Sequence, residues 1–205
     1  MNRKNSLSNT FKRTKFGDFM FKITVKAGLF LAHHKVLYYI LSYTWGILTT
    51  LAGWVMLGFG ILFNKKTLVE KGKFFTAHYA IFGKNWGGVG VGTSFMVSGN
   101  MSKDYTTHCK CHELGYTYQA AVWGPFVLIF FYLPSLVRCW CHNVRSKKNL
   151  PTQPYDLIYF EGSASEIGQT LLSEKEGKDY TYYTPEFKKN PNFGKKLQKE
   201  TTTNE

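Results

Sequence analysis

Acidic side chains are scarce in this sequence: 13 Asp and Glu stand against 26 Lys and Arg, leaving a formal charge of +13. Such a balance suits nucleic acid or the anionic face of a membrane. No zinc finger, RNP motif or recognition helix accompanies it, so nucleic acid is the disfavoured partner. Cysteine is also sparse, and its four residues are too clustered for a disulfide scaffold. A signal peptide is missing too: the apolar run begins too late and no small-residue cleavage site follows promptly. Residues 1–20 therefore read as a retained basic arm.

Charge is absent altogether from residues 36–63, a run of 28 residues. A helix rises about 1.5 Å per residue and roughly 20 residues cross the hydrocarbon core, so the run predicts a transmembrane helix. Its excess length would be taken up by tilt or by a break near Gly53 or Gly58. Tyr38, Tyr39 and Tyr43 mark one interface, and Asn64, Lys65 and Lys66 end the run at the other. The preceding residues 21–35 alternate lysines with apolar residues and suit an interfacial amphipathic helix.

Beyond the span the composition turns β-favouring. FFTAHYAIF and VGVGTSFMV flank the turn-rich GKNWGG and predict a β-hairpin. Gly88, Gly90 and Gly92 do not make a nucleotide loop, because Thr93 stands where the last glycine of G-x-G-x-x-G is needed and no helix follows at once. They are the glycines of a close backbone approach. A helix is predicted over residues 106–122, broken at Gly124-Pro125, then an apolar helix over 126–141 kinked at Pro134. A short helix follows over 161–172. From residue 174 the chain is polar and lysine-rich, the composition of an unfolded tail.

Chemistry is suggested first by His112-Glu113-Leu114-Gly115-Tyr116. In H-E-x-x-H, two imidazoles one helical turn apart reach one zinc, and the Glu takes a proton from the metal-bound water. Here Tyr116 occupies the second His position. With GKNWGG at 83–88, HELGYTYQ at 112–119, GPF at 124–126, LPSLVRCW at 133–140 and PYDLIYFEGSAS at 154–165, the chain resembles a family of uncharacterised bacterial membrane proteins with zincin-like motifs. The likeness covers about residues 36–172.

That resemblance implies a membrane-bound zinc-metallopeptidase-like protein of the gluzincin type, with His112 and Glu161 as metal ligands and Glu113 as general base. A phenol, with a reference pKa near 10, is a poor zinc ligand at neutral pH, so Tyr116 implies a degenerate, inactive member. An active alternative uses His108, His112 and Glu161, or Tyr116 as a weak third ligand. A peptide substrate would then lie as an added strand along the hairpin edge. The other alternative is a non-enzymatic membrane scaffold or interaction protein. Cys109 and Cys111, with Cys139 and Cys141 across the helical hairpin, form a candidate second metal or disulfide site.

The expected architecture is thus α+β: a mainly helical integral membrane protein of a bacterial-type cell membrane. It has one hydrophobic span, a β-hairpin, and a zincin-like helical hairpin embedded in or packed on the bilayer. Its divisions are 1–20, 21–70 with the span at 36–63, 71–173 and 174–205. The bilayer and a peptide or protein are the expected partners, and zinc is the expected cofactor.

Overall fold

The computed structural model describes residues 13–84, 86–100, 102–150, 157–178 and 180. Most of the expected basic arm and tail lies outside them. The chain opens with α1 (Lys15–His33), capped by the Thr14 hydroxyl, which accepts from the Gly17 N–H at 3.1 Å, with Asp18 in the first turn. Its buried residues Met20, Thr24, Gly28 and Leu31 recur every three or four positions, so one stripe faces inward. That stripe packs on the two helices that carry the candidate site. The interfacial segment expected over 21–35 is therefore the C-terminal part of a docked helix.

The uncharged run is not one helix. It divides into α2 (Lys35–Tyr43) and α3 (Ile47–Phe63), which meet at 90°. Among the described residues no helix is long and apolar enough to cross a membrane. This overturns the transmembrane span at 36–63, and with it the bilayer as partner and the integral-membrane placement. The physical reason is tertiary. At the bend the Trp45 indole lies against Gly124, and Gly46 sits close to the carbonyl oxygen of Ala120. The break, which holds Gly46, is fixed by contacts with residues some 75 positions away.

Four strands follow: β1 (Leu68–Phe74), β2 (Ala77–Phe82), β3 (Gly88–Val91) and β4 (Ser94–Ser98), in the spatial order β1-β2-β4-β3. β1 and β2 form one antiparallel hairpin, β3 and β4 another, and the parallel pairing of β2 with β4 joins them. Gly83, Lys84, Trp86 and Gly87 lie in the crossover between the two hairpins, where a single hairpin was expected. β2 is apolar but for the half-buried His78, because the sheet is covered on both faces. Ala80 and Phe82 meet Leu57 of α3 on one face, while Tyr79, Ile81, Phe95 and Val97 enter the main core on the other. β1 is the exposed edge, and Glu70, Lys71 and Lys73 along it discourage further strand pairing.

The main core is completed by α4 (Lys103–Trp123) and α6 (Tyr159–Glu176). They cross closely because Gly115 lies on the backbone of Ala164 and Gly168 on the backbone of Cys111, contacts that any Cβ would obstruct. Between them the chain turns through 118° after Gly124–Phe126, makes one π turn (Leu128–Tyr132) and continues as α5 (Leu133–Lys147), none of whose residues is buried. The architecture is a mixed α/β fold, α3 on one face of the sheet and α1, α4 and α6 on the other. It replaces the one-span α+β membrane fold expected from the sequence.

Candidate functional site

The polar residues of α4 form a seam against α6. His108, His112, Tyr116 and Gln119 recur at intervals of four, four and three, which puts them on one helix face. Each has a partner on α6. The His108 Nδ1 accepts from the Gln169 side-chain amide at 3.2 Å. His112 lies between Ser165 Oγ, 2.8 Å from Nδ1, and Glu161 Oε2, 3.1 Å from Nε2. Gln119 donates to Phe160 O at 2.7 Å and to Ser163 Oγ at 2.9 Å.

Glu161 is the hub, with no solvent exposure. Besides His112, Ser135 Oγ donates to its Oε1 at 2.7 Å and the Tyr116 hydroxyl donates to its Oε2 at 2.9 Å. Tyr116 is also 3.0 Å from Ser135 Oγ, so its single hydroxyl hydrogen is shared between two acceptors. A neutral His112 with its hydrogen on Nε2 satisfies both neighbours, donating to Glu161 and accepting from Ser165; this tautomer is assigned from the hydrogen bonds. The buried carboxylate is thus neutralised in hydrogen-bonding terms by three donors from α4 and α5.

Glu113 points the other way, beneath β3. Its carboxylate fills the space that side chains at Gly88 and Gly90 would occupy, and the Gly90 N–H hydrogen-bonds to it. The close approach expected at these glycines is therefore made by a glutamate. Burial pushes the Glu113 carboxyl up to about 7; Glu161 adds to the rise, while His112 and the Gly90 amide oppose it. Burial lowers His108 to about 3, so it is neutral. Tyr132 is also raised by burial, and its oxygen accepts from the Gly92 N–H at 3.2 Å.

A catalytic zinc does not fit these residues. His112 and Glu161 meet, but Tyr116 brings a phenol already hydrogen-bonded to Glu161. His108 is held by Gln169, its ring centroid 6.3 Å from that of His112. Among the described residues no group of three His, Cys, Asp or Glu can hold a metal ion. This overturns the zinc-metallopeptidase reading in its active and degenerate forms, since catalytic zinc takes three protein ligands. The cysteines do not supply a second centre. None of the four is in a disulfide, Cys109 and Cys111 being buried and Cys139 exposed, and burial raises the Cys111 thiol to about 12.

The sequence motifs assigned roles to His112, Glu113, Tyr116 and Glu161 but none to Ser135, Ser165 or Gln169. Ser135 and Ser165 lie inside the quoted strings LPSLVRCW and FEGSAS, which was the available signal. Compared with known protein families, curated proteins and solved structures, the chain matches none.

Proposed function

We propose that this chain is an interaction module, whose polar seam sets the register of α4 on α6 and whose working surface is the outer face of α3. The observation that carries the reading is that face. Leu48, Leu51, Trp54, Val55, Phe59, Leu62 and Phe63 are each more than a third exposed, on a helix without a single charged residue. Contiguous apolar surface of this kind marks a site of association. The motif residues support the complementary half of the reading. Gln119, Ser135, Glu161, Ser163 and Ser165, which lie within the motif strings, bond to one another, to His112 or to helix backbone and so lock the framework.

The test is protection of that face. Val55→Cys, in a chain with Cys139→Ser and Cys141→Ser, is treated with a maleimide in a cell lysate cleared of membranes. Reaction at least tenfold slower than that of Lys71→Cys on the exposed β1 edge is expected. Recovery of the chain only with sedimented membranes, or equal rates at the two positions, overturns the reading.

One observation favours a second reading, metal-independent acid–base catalysis. The Glu113 carboxyl, at about 7, matches the proton affinity of a general base working near neutrality. The Tyr132 hydroxyl, whose oxygen is fixed by Gly92, is the accompanying donor. This reading requires chelator-insensitive turnover of an ester or peptide panel, lost in both Glu113→Gln and Tyr132→Phe. Activity unchanged in either variant discards it.

A further inference from the structure

We infer that the occupant of the α3 face is a second copy of this chain, the two α3 helices crossing at Gly58. The inference rests on the interaction-module reading and names its partner. Three glycines lie on α3, and two are explained within the chain. A Cβ on Gly53 would strike the Val91 carbonyl oxygen, and one on Gly60 the Met96 sulfur, so both belong to the face that packs on the sheet. Gly58 is exposed, and a Cβ added there would meet nothing within 4 Å among the described residues. A glycine inside a helix costs about 1 kcal/mol relative to alanine, and no contact among the described residues requires it. On the outer face, such a notch lets the backbone of another helix approach.

The residues around the notch suit a helix partner. Leu51, Val55, Gly58 and Leu62 are spaced four, three and four apart, one continuous stripe, with Leu48 and Phe59 beside it. The opposite stripe, Thr49, Thr50, Gly53 and Leu57, is the buried one, so the outer stripe is not needed for the internal core. A two-fold interface requires a patch complementary to itself, and an uncharged leucine and valine ridge with a central notch meets that condition.

Charge selects the same face. The chain carries +13, so two copies repel across lysine-bearing surfaces, and the repulsion is strong within a Debye length of about 8–10 Å. The α3 helix itself carries no charge, and Lys65, Lys66 and Lys84 border it only at its C-terminal end, beside Leu62 and Phe63. The area is also adequate. At roughly 150–250 Å² for a whole aromatic side chain, seven large side chains, each more than a third exposed, present several hundred Å². A standard interface covers about 800 Å² on each partner.

The experiment is the solution mass of the purified full chain, by sedimentation equilibrium, with three variants. The wild type should sediment at twice the 23.6 kDa chain mass. Val55→Lys with Leu62→Lys should be monomeric, with unchanged circular dichroism because both positions are exposed. Gly58→Leu should weaken dimerisation at least tenfold while raising the melting temperature of the monomer. In the background lacking Cys139 and Cys141, Gly58→Cys should oxidise to a disulfide-linked dimer. A monomeric wild type, or a dimer indifferent to both the lysine pair and Gly58→Leu, overturns the inference. If the purified chain is monomeric but Val55→Cys is protected in the cleared lysate, the partner is a different protein and only this inference fails. If Val55→Cys is unprotected there, the interaction-module reading fails with it.

Discussion

Replacing Glu113 with Gln separates two buried titrations that mask each other. The Glu113 carboxyl moves from its ordinary 4.5 to about 7, and the His108 imidazole from 6.5 to about 3. Between pH 4.5 and 7 the folded chain keeps a proton on Glu113 that the unfolded chain has released. The stability from Glu113 is therefore complete below 4.5 and is lost as pH rises to 7. His108 has the opposite sign. Between pH 6.5 and 3 the unfolded chain takes up a proton that the folded chain refuses, so its stability is complete above 6.5 and is lost on acidification. Each slope is about 1.4 kcal/mol per pH unit, and across the Glu113 range the total is about 3 kcal/mol.

From pH 4.5 to 6.5 the two slopes cancel, and the pair leaves wild-type stability flat. Urea unfolding at a series of pH values exposes each slope. The stability of the wild type minus that of Glu113→Gln should fall by about 3 kcal/mol from pH 4.5 to 7, since every other group cancels in the difference. His108→Asn should give a difference of the opposite slope, growing from pH 3 to 6.5. A Glu113→Gln difference that does not vary with pH would mean that Glu113 is charged in the fold, held by its neighbours and not by burial. The assignment of Glu113 as a neutral acid beneath β3 would then be wrong.

Gly168→Ala should destabilise the chain by about 1–3 kcal/mol in chemical denaturation, because the added methyl meets the Cys111 backbone and must push α6 off α4; an unchanged or raised midpoint would show that the helices are not this close. Tyr116→Phe removes one of the donors to the buried Glu161 and should cost about 1–3 kcal/mol. Stoichiometric zinc in the purified wild type, measured by atomic emission, would contradict the hydrogen-bonded assignment of Glu161 and Tyr116.

Several parts of this structure were legible in the sequence because their causes are local. HELGY and FEGSAS fall on helices and face each other, and the β-favouring runs FFTAHYAIF and VGVGTSFMV contain strands. The amphipathic segment expected over 21–35 falls mostly within α1, but the helix begins earlier, at Lys15, inside the expected basic arm. What was not legible depends on distant partners. β1 carries Glu70, Lys71 and Lys73 and lacks a buried face, so LVEKGKF has no strand pattern. The parallel pairing of β2 and β4 leaves no turn signal at all, because the residues between them belong to another hairpin. A covered sheet also buries β2 on both sides, all but His78, which hides the period of two. At the site, Tyr116 was visible as a departure from H-E-x-x-H, but its role was not, because Ser135 and Glu161 reach it from two other helices.

The bend between α2 and α3 and the bend after α4 occupy one place. Trp45, at the first corner, lies against Gly124, the pivot of the second, and its ring is 5.8 Å from that of Phe126. Gly124 has a φ of +51°, where a side chain is strained as well as blocked by the indole. The two elbows are therefore a single hinge pin shared by two levers. A residue larger than glycine at position 124 would not act on its own turn alone; it would also swing α3 away from the sheet and displace Ser135 from Glu161. A lesion in one part of the chain would thus be seen as two, on opposite faces of the molecule.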